Sequence, residues 1–146
     1  MRYRELLLPE LEVEFDNVRK TLARVPDGRN EFRPDEKSYS LSELPGHLAE
    51  MPMFVQLALT SPDVDLGAQG FEPLVMDSRQ LVLAAFEELA AKLVAFMRNT
   101  SDETFEKQCE LLWDDEPHAA SPDAACSVLA AVGDCGPRYA VWTFSR

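Results

Sequence analysis

From Leu8 onward the apolar residues Leu8, Leu11, Phe15, Val18, Leu22 and Val25 recur at alternating steps of three and four, with Glu10, Glu12, Glu14, Asp16, Arg19 and Lys20 between them. That spacing lays one apolar stripe along a helix and predicts a first helix over about residues 5–25. Pro26-Asp27-Gly28 ends it, because proline resists continuation and Asp-Gly supplies turn geometry. The polar stretch 29–37 is short enough to lead into an antiparallel neighbour.

Ser40-Leu41-Ser42-Glu43 reads as a capping box, in which a serine hydroxyl and a glutamate each satisfy a free backbone N–H. It opens a second helix over about 41–59 whose stripe is Leu41, Leu44, Leu48, Met51 and Val55. Pro45 fits a first turn; Pro52 falls inside the pattern and predicts a kink or break near Met51. Residues 60–76 hold Pro62, Gly67, Gly70 and Pro73 with no helical period. Asp77-Ser78 then caps a third helix over about 78–98, with Val82, Phe86, Leu89, Leu93 and Phe96 on one face.

Past residue 98 the pattern weakens. Thr100-Ser101-Asp102-Glu103 is a second possible capping box, opening a short turn before 109–113, which the acidic run Asp114-Asp115-Glu116-Pro117 ends. Ser121-Pro122-Asp123 starts a short, alanine-rich helix over about 122–132, stopped by Gly133. Residues 133–146 read as an irregular tail, since 138–144 has the composition of a strand but no convincing partner.

A length of 146 residues and a hydrophobic share of 46% suit one domain, 1–146. Fourteen Lys and Arg against 26 Asp and Glu give a formal net charge of -12, which repels phosphate backbones and makes nucleic acid and anionic membranes poor partners. Leu6, Leu7 and Leu8 are followed at once by Pro9 and Glu10, too short a run for a signal peptide or membrane span. Cys109, Cys126 and Cys135 are odd in number and form no CxxC pair, which points to reduced thiols and a cytoplasmic location.

The chain carries no P-loop, GxGxxG, GxSxG, HExxH or CxxC motif. Of its two histidines, His47 lies beside the apolar stripe of the second helix, and Glu50 follows on the next turn. The pair could offer an imidazole nitrogen and a carboxylate oxygen to one metal ion, or act as base and orienter. On its own His47 reads as a hydrogen-bonded rim residue, because one histidine does not make a metal site. The acidic runs 10–16 and 114–116 lack the pattern of a calcium loop and read as solvated faces. Trp113, Trp142, Phe54, Phe71, Phe86 and Phe96 serve equally as core or as a pocket lining between helices.

Arg24-Val25-Pro26, Phe32-Arg33-Pro34, Glu36-Lys37-Ser38, the run SELPGHLAE over 42–50 and Leu111-Leu112-Trp113 together resemble the DinB-like (YfiT-like) four-helix-bundle superfamily, over about residues 5–116. The resemblance implies an all-α fold, an antiparallel up-and-down four-helix bundle, here with a shortened or irregular fourth helix and C-terminal tail. It also implies a divalent metal held by three histidines, one on the second helix and a close pair on the fourth. Relatives include thiol-dependent transferases, isomerases and hydrolases. His47 stands in the place of the first ligand. The departure is at the fourth helix, where residues 117–146 offer only His118. A cysteine thiolate could replace a missing ligand, but the three cysteines do not share one helix face.

The expectation is therefore a binding or interaction module with a degenerate metal site around His47 and Glu50. The alternative is an enzyme dependent on zinc, nickel or manganese, with His47 as ligand and His118, a cysteine or a carboxylate beside it. A small-molecule ligand fits either. A short fourth helix would leave the seam of Leu8, Phe15, Leu22, Val82, Leu89 and Phe96 partly uncovered, which predicts a homodimer. The loss of resemblance after Pro117 is also what a shifted reading frame would leave.

Overall fold

The chain is seen in a computed structural model that describes residues 3–61, 63–65, 72–106, 109–113 and 116–121. Helix α1 spans Tyr3–Leu22 and buries Leu7, Leu11, Phe15, Val18 and Leu22. The stripe thus begins at Leu7, one residue before the expected Leu8, which is half-buried. Pro9 sits inside this helix and is exposed, away from the buried stripe. At the other end Arg24 and Val25 donate to the carbonyls of Thr21 and Leu22. These three-residue bonds tighten the last turn and explain why α1 stops short of residue 25.

Helix α2 spans Glu43–Thr60 and runs unbroken through Pro52, which is fully buried. The expected break at Met51 does not occur. Of the expected stripe of α2, Met51 and Val55 are buried, whereas Leu41, Leu44 and Leu48 are half-buried and Ala49 and Leu59 take the other buried places. After strand β1, Asp63–Asp65, an irregular segment over 72–77 leads into helix α3, Arg79–Asn99. Val82, Phe86 and Leu93 are buried there as expected, joined by Ala90 and Met97, while Leu89 and Phe96 sit at the edge.

The cap of α3 differs from the expected one. Ser78 makes no side-chain capping bond. The Arg79 N–H donates instead to Asp27 Oδ1 at 2.9 Å, and the Arg79 guanidinium lies 3.4 Å from Asp27 Oδ2. The Pro26-Asp27-Gly28 turn that ends α1 therefore also starts α3, with Gly28 in the left-handed conformation at φ 76°.

These contacts set the helix directions. The starts of α2 and α3 lie together, since Met76 N–H donates to the Ser42 carbonyl and Asn30 Nδ2 to the Asp77 carbonyl. The far end of α3 returns to the start of α1, where Arg4 donates to the Arg98 carbonyl at 3.0 Å. Both α2 and α3 thus run antiparallel to α1 and parallel to one another. This corrects the up-and-down order expected of the bundle: Leu74 and Met76, just before α3, lie beside Glu50 and Ser42 toward the start of α2.

Helices form the body of the molecule, in keeping with the all-α expectation, with a small sheet beside them. Its order is β1-β2-β3, with β2 spanning Cys109–Trp113 and β3 spanning Glu116–Ser121. Strand β1 is parallel to β2, and β3 is antiparallel to it. The last two residues of the acidic run read as a terminator, Glu116 and Pro117, begin β3. Pro117 is tolerated because β3 is an edge strand. The weak helix expected over about 122–132 and the tail 133–146 lie outside the described residues.

One apolar cluster joins α1, α2 and α3 with Phe105 of a single 3-10 turn, Asp102–Glu106. Phe105 is fully buried and stacks on Tyr3 with centroids 5.9 Å apart; Phe15 meets Phe86 edge to face at 5.5 Å. Phe15, Leu22 and Val82 of the seam expected to be uncovered are buried within one chain. Among the described residues no helix is long and apolar enough to cross a membrane.

Candidate functional site

The start of α2 is built as its capping box predicts. The Ser40 N–H donates to Glu43 Oε2 at 2.8 Å, and the Glu43 N–H donates to Ser40 Oγ at 3.2 Å. Arg33 adds an ion pair to the same glutamate oxygen at 2.9 Å and donates to the Ser38 carbonyl at 2.7 Å. The Ser40 N–H, with the serine hydroxyl and Arg33 behind it, holds the Glu43 carboxyl below its ordinary range. This fixes the first turn on which His47 and Glu50 are carried.

Ser42, Gly46 and Glu50 are four residues apart and so line one face of α2. All three meet the irregular segment 72–77. The Ser42 carbonyl accepts from Met76 N–H at 3.2 Å, and Glu50 Oε1 accepts from Leu74 N–H at 2.7 Å. Between them the Leu74 carbonyl lies so close to Gly46 that a Cβ there would collide with it. Glycine is required at 46 by this approach.

Glu50 is buried, 5% exposed, and its Oε2 has no hydrogen-bond partner among the described residues. Burial pushes its carboxyl up from the ordinary value, while the Leu74 N–H pulls the other way. His47 lies about 60° round the helix from Glu50, on the face it shares with Phe54. Its ring is flanked by Tyr39, with centroids 5.8 Å apart, and by Phe54 at 6.1 Å. Tyr39 is partly exposed at 42%, so this aromatic shelf reaches the surface.

The two candidate ligands on α2 thus share one turn but face different neighbours: Glu50 holds a backbone and His47 sits among rings. His118 is placed in β3, at the irregularity where the register with β2 passes from Leu111↔Ala119 to Leu112↔Pro117. Cys109 begins β2, while Cys126 and Cys135 lie outside the described residues. Among the described residues no group of three or more His, Cys, Asp or Glu side chains is placed to hold a metal ion. His47 and Glu50 alone supply two donors, short of the four that a zinc ion takes.

Sequence reasoning missed Gly46, Leu74 and Tyr39. Gly46 carried a usable signal, because a glycine inside a helical pattern points to a close backbone approach. Leu74 carried none, since nothing in the stretch 60–76 says which helix it crosses. A separate open groove of about 330 Å³ runs between α1 and α3 over Phe15, Ala90, Ala91 and Val94. It is flanked by the pairs Arg19–Glu87 and Arg98–Glu12. Comparison with family models, with curated proteins and with solved structures found no match.

Proposed function

We propose that this chain is a binding or interaction module of the DinB-like helical type, in which the place of a metal site on α2 is given over to holding the chain. The observation that carries the reading is the Glu50 carboxylate, whose Oε1 is committed to the Leu74 N–H at 2.7 Å. A carboxylate so engaged acts as a structural acceptor first. The aromatic shelf of Tyr39, His47 and Phe54 is then the surface on which a small ligand or a partner side chain would rest. The DinB-like assignment rests on the residues that resemble the family, SELPGHLAE above all.

A second reading is favoured by Glu50 Oε2, which is buried and has no hydrogen-bond partner among the described residues. A divalent cation would satisfy it, with His47 as a further ligand and the rest of the shell from residues such as His118. Bound there, zinc, nickel or manganese would supply Lewis-acid chemistry. Elemental analysis after incubation with each metal and desalting separates the two readings, run beside His47→Ala. No retained metal in either protein supports the module; about one metal per chain that is lost in the variant supports the enzyme.

Self-association belongs to the same proposal but on new grounds. Leu6 and Val13, seven residues apart on the outer face of α1, are 53% and 60% exposed and give a homodimer an apolar surface.

A further inference from the structure

We propose that residues 72–77 form a strap that opens from α2 as a unit, with Gly46 as its seat and Glu50 as its latch. The strap has no regular secondary structure, with Leu74 and Met76 packed against the apolar cluster and half-buried and Val75 outward and 56% exposed. It is tied to α2 by the two backbone N–H groups of its inward residues, on the Ser42 carbonyl and Glu50 Oε1. Its inward side chains only border the apolar cluster, whose fully buried members come from α1, α2, α3 and Phe105. Lifting the strap would therefore break few contacts compared with unfolding the helices, which is the condition for local opening.

The closed state also leaves Glu50 Oε2 buried without a hydrogen-bond partner among the described residues, a cost that opening relieves by admitting water. What opening uncovers is the face of Ser42, Gly46 and Glu50, next to the shelf that carries His47. The strap thus gates access to the Glu50 carboxylate. The gating role rests on the binding reading of this site, whereas the opening itself does not.

Residue-resolved hydrogen exchange on the full chain tests this in the native state. The Leu74 and Met76 amides are expected to exchange at a common rate, at least about tenfold faster than the amide of buried Leu93 in α3. Gly46→Ala, which favours the helix but places a Cβ against the Leu74 carbonyl, should speed both by about tenfold or more and leave Leu93 unchanged. Glu50→Ala should do the same, while Glu50→Gln, which keeps an oxygen acceptor, should stay near the wild type.

Leu74 and Met76 exchanging as slowly as Leu93 in the wild type would overturn the strap, as would an equal acceleration of Leu93 in the variants. If Gly46→Ala does not fold, the two Glu50 variants decide: equal rates in both remove Glu50 as the latch. Metal retention plays no part in these rates, so loss of the strap and loss of the site reading are separate outcomes.

Discussion

Two glutamates seven residues apart on α2 are driven in opposite directions by their surroundings. Glu43 is held low by the Ser40 N–H and Arg33 at the surface, whereas Glu50 is pushed up by burial. For Glu50 the folded chain binds the proton more tightly than the unfolded chain does. Its favourable contribution is therefore full below its unfolded pKa of about 4.3 and is lost as pH rises through the folded value. Glu50→Gln removes the buried charge and keeps an acceptor for Leu74. Urea midpoints should show this variant more stable than the wild type at pH 7, with the advantage gone below about pH 4. A variant less stable at pH 7 would mean that the charge is compensated within the fold. The capping box of Ser40 and Glu43 was legible because both partners lie within four residues. The role of Glu50 was not, because its partner is 24 residues away and is a backbone group that any residue could supply.

At the level of elements, long periodic segments were legible and short paired ones were not. Helix α3, expected over about 78–98, spans Arg79–Asn99, because its stripe of Val82, Phe86 and Leu93 runs through many turns. Helix α1 buries Leu11, Phe15, Val18 and Leu22 as expected and differs at the first member of the stripe, Leu7 in place of Leu8, since Leu6, Leu7 and Leu8 give no local means of choosing which leucine faces inward. The strands escaped notice: β1 has three residues and pairs with β2, 47 positions on. The same distance effect hid the cap of α3, supplied by Asp27 across a separation of 52 residues. Asp27→Ala should cost about 1 kcal/mol, the usual loss for an N-cap, by urea or thermal unfolding. Ser78→Ala, at the position expected from sequence, should cost much less, because Ser78 makes no side-chain capping bond. Equal losses would return the cap to Ser78.

For the whole molecule, Phe15, Leu22 and Val82 of the expected seam are buried within one chain and Leu8, Leu89 and Phe96 half-buried, so the proposed dimer draws mainly on the exposed Leu6 and Val13. Light scattering at micromolar concentration should give twice the chain mass, and Val13→Lys should return the monomer. A wild-type monomer at that concentration rejects the dimer. The family resemblance carried the expectation of an up-and-down order, and the directions of α2 and α3 depart from it. Helix periodicity alone could not have revealed this, since a stripe says which face is buried and not which way the neighbour runs.

The parallel course of α2 and α3 has an electrical consequence. Each helix is a dipole, positive at its start, and here two positive ends stand side by side rather than opposing one another. Antiparallel α1 cancels part of this along α3. The remainder falls at the end where Glu43 lies in the first turn of α2 and Asp27 accepts from the first N–H of α3. On a chain with a net charge of -12, these carboxylates add to the overall repulsion and yet are what makes two like-directed helices compatible.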